Sequence, residues 1–400
     1  MKNDKQMNVV SFDRSKYKPD PARVAEFSAA ARRLMRDRSS GDVIASLLRE
    51  TPREEWSQLA ERAELRNSGV LERLSRNVAA ALEKEPSDAL AMSNLATAIA
   101  ETLPPENYPA VVIAQLRAHA WKDRAQSLSY VGRDQEALEA IERAESLLIS
   151  FAAVSHDRAI VQLVKAIVLQ HLKEWDGSLA LLRECRRVFN DHKDTKRLLH
   201  CGLTEAMLLH RRAEYEKARA VLVPLCTVAR DARDLDSLGA VHNNLALCLL
   251  ELGELTEANI HFSEAVRHLN DAGRWIEAAR ADMNIGKLFV RRNDSEHAME
   301  HLSKAQDVFQ NNAMPEETGS CGALMMEAML VRGNDSHART IAQELARQLT
   351  GSRVSKQAFE AIAYAESAIA THDSALTAVR HVYDFFESLQ TDPERVFAVP

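Results

Sequence analysis

The sequence predicts an all-α chain, a solenoid of helix–turn–helix repeats, and three observations carry that prediction. First, the stretch Asn243 to Val266, NNLALCLLELGELTEANIHFSEAV, puts Leu245, Ala246 and Leu249 on one helical face and Ala258, Phe262 and Ala265 on another, with Gly253 between them. Second, a shift of 40 residues brings Ala246 onto Gly286, Ala206 and Ala166, Ala258 onto Ala298, Ala218 and Ser178, and Phe262 onto Leu302, Leu222 and Leu182. A small, glycine, small, large, small order returning at one step marks a repeat array. The small residues have a steric reason, since helix axes approach to about 8 Å only where side chains at the crossing are short. Third, glycine makes up 13 of 400 residues, which argues against glycine-rich phosphate loops and hairpin-rich β folds.

Taken in order, residues 1–20 are polar and lack helical period, so a disordered tail is expected. Residues 21–85 read as an N-terminal helical cap, because a solenoid must cover its first apolar face. Asp20-Pro21 and Thr51-Pro52-Glu54 mark helix starts at Pro21 and Pro52, the second with a capping box. A short helix is expected over Asp42–Arg49. Another, Val70–Lys84, carries Val70, Leu71, Leu74, Val78 and Leu82 at helical spacing. Residues 86–117 form a degenerate repeat: Asn94, Leu95 and Ala96 open it, and Pro104-Pro105 stops it where a second helix should follow.

The array proper spans 118–390, about seven repeats. Its frame reaches back to Ala125, Gly132, Ala137, Ile141 and Ala144 and forward to Gly333, Ala338, Ala342 and Leu345, with a looser copy near Ala375, Val379 and Val382. Pro224 falls inside a helix, where the lost backbone hydrogen bond should bend it. Val379, Val382, Phe385, Phe386 and Leu389 make an apolar stripe that reads as a C-terminal cap, and 391–400, ending VFAVP, is a tail able to dock.

This pattern resembles the tetratricopeptide repeat, in the Asn-Leu-Ala opening of its first helix, the glycine turn and the Ala, Phe, Ala series of its second. The resemblance covers roughly Ala118 to Gln390. It departs from the family in period, 40 residues here against the usual ~34, and looks like the long-repeat variety of bacterial regulatory proteins. It implies a right-handed α-solenoid that binds a protein or peptide in a concave groove.

Net charge is -7 with both signs interspersed, so no basic footprint for nucleic acid stands out. Cys185, Cys201, Cys226, Cys248 and Cys321 lack the paired spacing of metal or redox motifs and suit a reducing, cytoplasmic setting. No run of 18 apolar residues suggests a membrane span. The phosphate-loop, dinucleotide and nucleophile-elbow signatures are absent, so neither catalysis nor a cofactor is implied. One motif points elsewhere. His297, Glu300 and His301 spell H-x-x-E-H, with the spacing of a zinc peptidase, although Ala298 and Leu302 within it already serve the repeat frame.

By the resemblance, first-helix positions line the groove: Leu163, Ile167 and His171, then Leu203, Met207, His210 and Arg211, then Asn243, Asn244, Leu247 and Leu250, then Arg280, Met283, Asn284, Lys287 and Arg291. An apolar floor with cations at intervals fits a peptide or protein segment that carries hydrophobic anchors and an acidic group. Asn244 and Asn284 share one place in consecutive repeats. Each amide either pairs with a ligand backbone or ties neighbouring helices together. The expected function is that of a non-enzymatic scaffold, regulator or adaptor, with a peptide sensor of changing superhelical pitch as the alternative.

Overall fold

A computed structural model describes residues 20–38, 40–82, 84–372, 374–389, 392 and 395–400, so the expected tail lies outside it except for Asp20. No strand occurs among the described residues. They form two compact units, one up to Val188 and one from Phe189 onward.

The first unit holds α1 (Pro21–Asp37), α2 (Ser40–Glu50), α3 (Ser68–Ala81), α4 (Pro86–Glu101), α5 (Ala110–Tyr130), α6 (Asp134–Leu148), α7 (Ser155–His171) and most of α8 (Trp175–Asp191). Pro21 opens α1 as expected. The start expected at Pro52 instead opens a 3-10 stretch, Arg53–Glu61, in which no side-chain cap forms. Its two buried residues, Trp56 and Leu59, are three apart, the repeat of a 3-10 turn rather than of an α-helix. Trp56 Nε1 donates to Thr51 O at 3.0 Å, which fixes the entry to this stretch. Behind Pro104-Pro105 the chain makes one 3-10 turn and then α5, which runs through residues 117 and 118. The α1–α3 region is tied down by Asp37, which accepts hydrogen bonds from Ser68 Oγ at 2.8 Å and from the Tyr108 hydroxyl.

From α7 onward the helices are nearly uniform. The second unit continues with α9 (Thr195–Arg211), α10 (Tyr215–Asp231), α11 (Leu235–Glu251), α12 (Leu255–Asp271), α13 (Trp275–Arg291), α14 (Ser295–Asn311), α15 (Pro315–Val331), α16 (Asp335–Gln348), α17 (Ser355–Thr371) and α18 (Ala375–Leu389). Each helix from α7 to α15 is 17 residues long. The long period therefore comes from two such helices and two three-residue turns. The turn inside a repeat and the turn between repeats are the same structure.

The middle residue of each turn between α7 and α16, at Lys173, Lys193, Ala213, Arg233, Gly253, Gly273, Asn293, Ala313 and Gly333, has φ between 52° and 81°. The next amide then reaches back to a carbonyl five residues earlier, as in Glu174 to Leu169 at 2.8 Å, Glu254 to Leu249 at 2.9 Å and Asn334 to Met329 at 2.9 Å. This bond satisfies an otherwise orphaned carbonyl at the helix end. The third turn residue starts the next helix. Asp194, Asp234, Asp294 and Asn334 accept from the amides of Arg197, Ser237, His297 and His337. α10 runs unbroken through Pro224.

The predicted frame sets the packing. Ala166, Ala206, Ala218, Ala246, Ala258 and Ala298 are at most 1% exposed, and Leu182, Leu222, Phe262 and Leu302 are fully buried beside them. Gly286 shows why the site is small, since a Cβ there would lie 2.5 Å from Leu302 Cγ. Cys185, Cys201, Cys248 and Cys321 are buried and Cys226 is half-buried, all as free thiols.

α15 breaks the amphipathic pattern. Its run Pro315 to Met329 is buried on every side, against α14, α16 and α18. Gly319, Ser320, Cys321, Gly322 and Ala323 leave room for that, because short side chains let neighbours approach from all directions. Its buried acids each meet an arginine: Glu316 with Arg353 at 2.8 Å, Glu317 with Arg280 at 2.8 Å and Glu327 with Arg380 at 2.7 Å. The α18 stripe at Val379, Val382, Phe385, Phe386 and Leu389 is buried. The final tail docks on this cap, with Phe397 against Phe385 at 5.1 Å and His381 Nε2 on Ala398 O at 2.8 Å.

Candidate functional site

The groove positions in the second unit lie on α9, α11 and α13, the first helices of three consecutive hairpins. Their spacing of three or four residues keeps each set on one face. Leu203, His210, Asn243, Asn244, Leu247, Arg280, Asn284 and Lys287 are half-buried, Arg211 and Arg291 are exposed, Met207 is 45% exposed and Met283 is buried at 7%. Met283 is thus a packing residue, and so is Leu250 on α11, 1% exposed, where a groove position was expected. In the first unit Leu163 is buried, and His171 is held by Ser129 at 2.8 Å and Asp134 at 3.1 Å.

The two asparagines of the shared repeat place divide their roles. Asn244 Nδ2 donates to Ala240 O of its own helix at 2.9 Å. Asn284 Nδ2 instead crosses to Asn243 Oδ1 at 3.1 Å and links α13 to α11. That bond uses one end of each amide. The other ends are a donor on Asn243 and an acceptor on Asn284, on the half-exposed face beside Leu247.

The cations are less free than a groove of bare positive charge requires. Arg280 holds the buried Glu317 carboxylate at 2.8 Å, and Arg291 spans Leu250 O at 3.0 Å and Glu251 at 2.7 Å. Lys287 Nζ lies 3.4 Å from the Tyr383 hydroxyl and 5.1 Å from its ring centroid. Of the three cations on α13, Lys287 alone lacks a carboxylate partner among the described residues. Burial pushes the Tyr383 hydroxyl up. It pushes the His210 imidazole down, against the opposing pull of Glu251. Arg291 also borders a cleft of about 460 Å³ with Leu250, Leu255, Val290, Glu327 and Arg380.

The H-x-x-E-H histidines belong to another arrangement. His297 Nδ1 meets Asp294 at 2.8 Å and His301 Nδ1 meets Asp282 at 3.0 Å, while both rings stack on Phe289 at 5.1 and 5.7 Å. Asp282 also holds Lys304 at 2.7 Å. Among the described residues no three His, Cys, Asp or Glu side chains are grouped to hold a metal.

Sequence reasoning missed Glu317, Glu251 and Tyr383, the groups that occupy the cations. The available signal was in α15 itself, where a helix without a polar face nevertheless carries acids.

The sequence profile of one family, Soluble NSF attachment protein, SNAP, matches residues 212–362, less than half of the chain. No curated protein matches. Among solved structures, the apo form of the quorum sensor NprR from B. thuringiensis is 11% identical with a TM-score of 0.58, over 92% of this chain and 99% of that one. Aspartyl phosphate phosphatase F from Bacillus subtilis is 16% identical with a TM-score of 0.54, over 87% and 95%. The apo form of RapI is 14% identical with a TM-score of 0.54, over 69% and 98%. At such identities the likeness is one of fold, and that fold is the TPR-like helical repeat. No described helix is long and apolar enough to cross a membrane.

Proposed function

We propose that the chain is a non-enzymatic binding protein, a regulator or adaptor, whose α9–α11–α13 face takes a peptide or protein segment. The observation that carries this reading is the Asn243–Asn284 bridge. Its donor on one amide and acceptor on the other match the C=O and N–H of one residue of an extended chain, which point to the same side, so such a backbone can be read without regard to its sequence. Leu203 and Met207 on α9 and Leu247, one turn along α11 from Asn243, supply apolar contact. Lys287 is the place for an acidic group, because an incoming carboxylate there displaces no carboxylate already bound, whereas at Arg280 or Arg291 it would compete with Glu317 or Glu251. The free cysteines suit a cytoplasmic setting.

Panning a random peptide display library against the full chain tests the reading. Selected peptides should lose at least about tenfold in affinity, near 1.4 kcal/mol, on the double change Asn243→Ala and Asn284→Ala, with the helical circular dichroism unchanged. Peptides indifferent to that pair but lost on Ile260→Asp, an exposed position of α12, would place the binding surface on the second helices and refute it.

A further inference from the structure

The face that α9, α11 and α13 leave half-open is closed at α15, and the closing element is the chain's own α18. Shifted by 40 residues, Arg280, Met283, Asn284 and Lys287 fall on Ser320, Ala323, Leu324 and Glu327. All four α15 residues are buried, at 0%, 0%, 2% and 9% exposure. α18 lies over them antiparallel. Arg380 Nε donates to Glu327 at 2.7 Å, and seven residues on, Ser320 Oγ, seven residues back, donates to Glu387 at 2.8 Å. Phe386 fills the space over Gly319, where any Cβ would collide with its ring. Tyr383, between those contacts, reaches past α15 to Lys287 on α13. A simple cap needs only an apolar stripe. This one also makes directed polar contacts to the positions that a bound segment would use, in the helix-in-groove manner.

We propose that α18 is a displaceable internal ligand, an autoinhibitory helix that shortens the binding face and withholds Lys287 until a partner helix of the same character replaces it. The proposal rests on the reading of the first-helix face as the binding surface. The partner class over α15 follows from α18 itself: an amphipathic helix with an aromatic or aliphatic stripe, a cation at one position and a carboxylate two turns later, a part of the partner separate from the extended stretch read at Asn243 and Asn284. Release has a place to occur. Between α17 and α18, His372 at φ 56° and Ser374 at φ 52° are both left-handed, and helix-terminal residues of this kind can absorb the backbone change when a packed helix swings.

The test uses the full chain, with a fluorescein-labelled peptide of residues 375–389 as probe. The native chain, its face filled by its own α18, should leave the probe free at micromolar concentration. Arg380→Glu sets two carboxylates against each other at Glu327. It should expel α18, speed amide exchange over 375–389 relative to α13 and α15, and tighten probe binding at least about tenfold. Adding Glu327→Arg to Arg380→Glu restores an ion pair and should abolish probe binding again. Should Arg380→Glu lose its helical signal, Tyr383→Ala loosens the same helix without a charge clash and is read in the same way. Exchange over 375–389 that occurs only with global unfolding of the second unit, or variants that leave exchange and probe binding at native values, would overturn the proposal. A library peptide that depends on Asn243 and Asn284 yet leaves α18 protected would overturn this inference alone and leave the binding reading standing.

Discussion

Gly286→Ala is the sharpest test of the repeat packing because two effects of opposite sign act on it. In an open helix interior the change should stabilise by about 1 kcal/mol, the propensity difference between glycine and alanine. Here the new Cβ would sit 2.5 Å from Leu302 Cγ and 2.6 Å from its Cδ2, and Leu302 is fully buried with nowhere to retreat. Overpacking of this kind costs about 1–3 kcal/mol, so a net loss of about 1 kcal/mol is expected. Leu302→Ala alone should cost about 3 kcal/mol through the cavity it leaves. In the double variant the new methyl fits, the propensity gain reappears, and the two changes should couple by about 2 kcal/mol. Urea unfolding followed by circular dichroism gives all four corners of the cycle. A stabilising Gly286→Ala, or changes that add to within about 0.5 kcal/mol, would refute the crossing geometry.

The turns predict a second series: Ala213→Gly and Ala313→Gly relieve a left-handed residue and should each stabilise by about 0.5–1 kcal/mol, while Gly253→Ala, whose Cβ meets nothing within 4 Å, should cost about 1 kcal/mol through the backbone alone. Thermal midpoints of the three variants check it. A third prediction concerns pH. His242, 6% exposed, shares a 2.8 Å Nδ1 contact with His261 and stacks on His268, with Glu264 and Arg230 nearby, and burial lowers its pKa to about 4. The unfolded chain then binds more protons between pH 6.5 and 4, so His242 should contribute a fall in stability of about 2 kcal/mol as pH drops through that window, and His200, His210, His261 and His268, also lowered by burial, add to the same slope. His242→Gln should reduce that slope by the His242 share in urea titrations at each pH. Fourth, Arg280→Glu should destabilise by about 2 kcal/mol or more by stranding buried Glu317, whereas Lys287→Glu should change the urea midpoint by less than half as much.

The helix hairpins and their crossings were legible because they follow from a local pattern repeated many times. Ala246, Ala258 and Phe262 announce their burial by size and spacing alone. Gly253 announces its turn for the same reason. Lys173, Lys193 and Arg233 do not, since they are driven into the left-handed region by the packing of the helices on either side rather than by their own preference. The 3-10 stretch after Pro52 escaped for a related reason: a capping box specifies a start, and the spacing of Trp56 and Leu59 decides which helix follows. At the candidate site, the helical spacing puts the named cations on α13, but it does not give their partners. Arg280 with Glu317, Arg291 with Glu251 and Lys287 with Tyr383 are separated by 37, 40 and 96 residues. Such pairs depend on how far each helix is rotated against the next, which a hydrophobic stripe fixes only coarsely. The α18 stripe was plain, but its destination on α15 was not, because a stripe shows that a face is covered and not by what.

The claim that the first-helix face of the second unit is the binding surface is tested most directly by site-specific photocrosslinking in living cells. A benzophenone amino acid would be placed in turn at Met207, Leu247, Val223 and Ile260. Met207 and Leu247 lie on the first-helix face, and Val223 and Ile260 are exposed positions of the second helices, at 52% and 57%. The account predicts one discrete adduct from Met207 and Leu247, diminished by Asn243→Ala, and none from the other two. The same adduct from Val223 or Ile260, with Met207 and Leu247 silent, would contradict it.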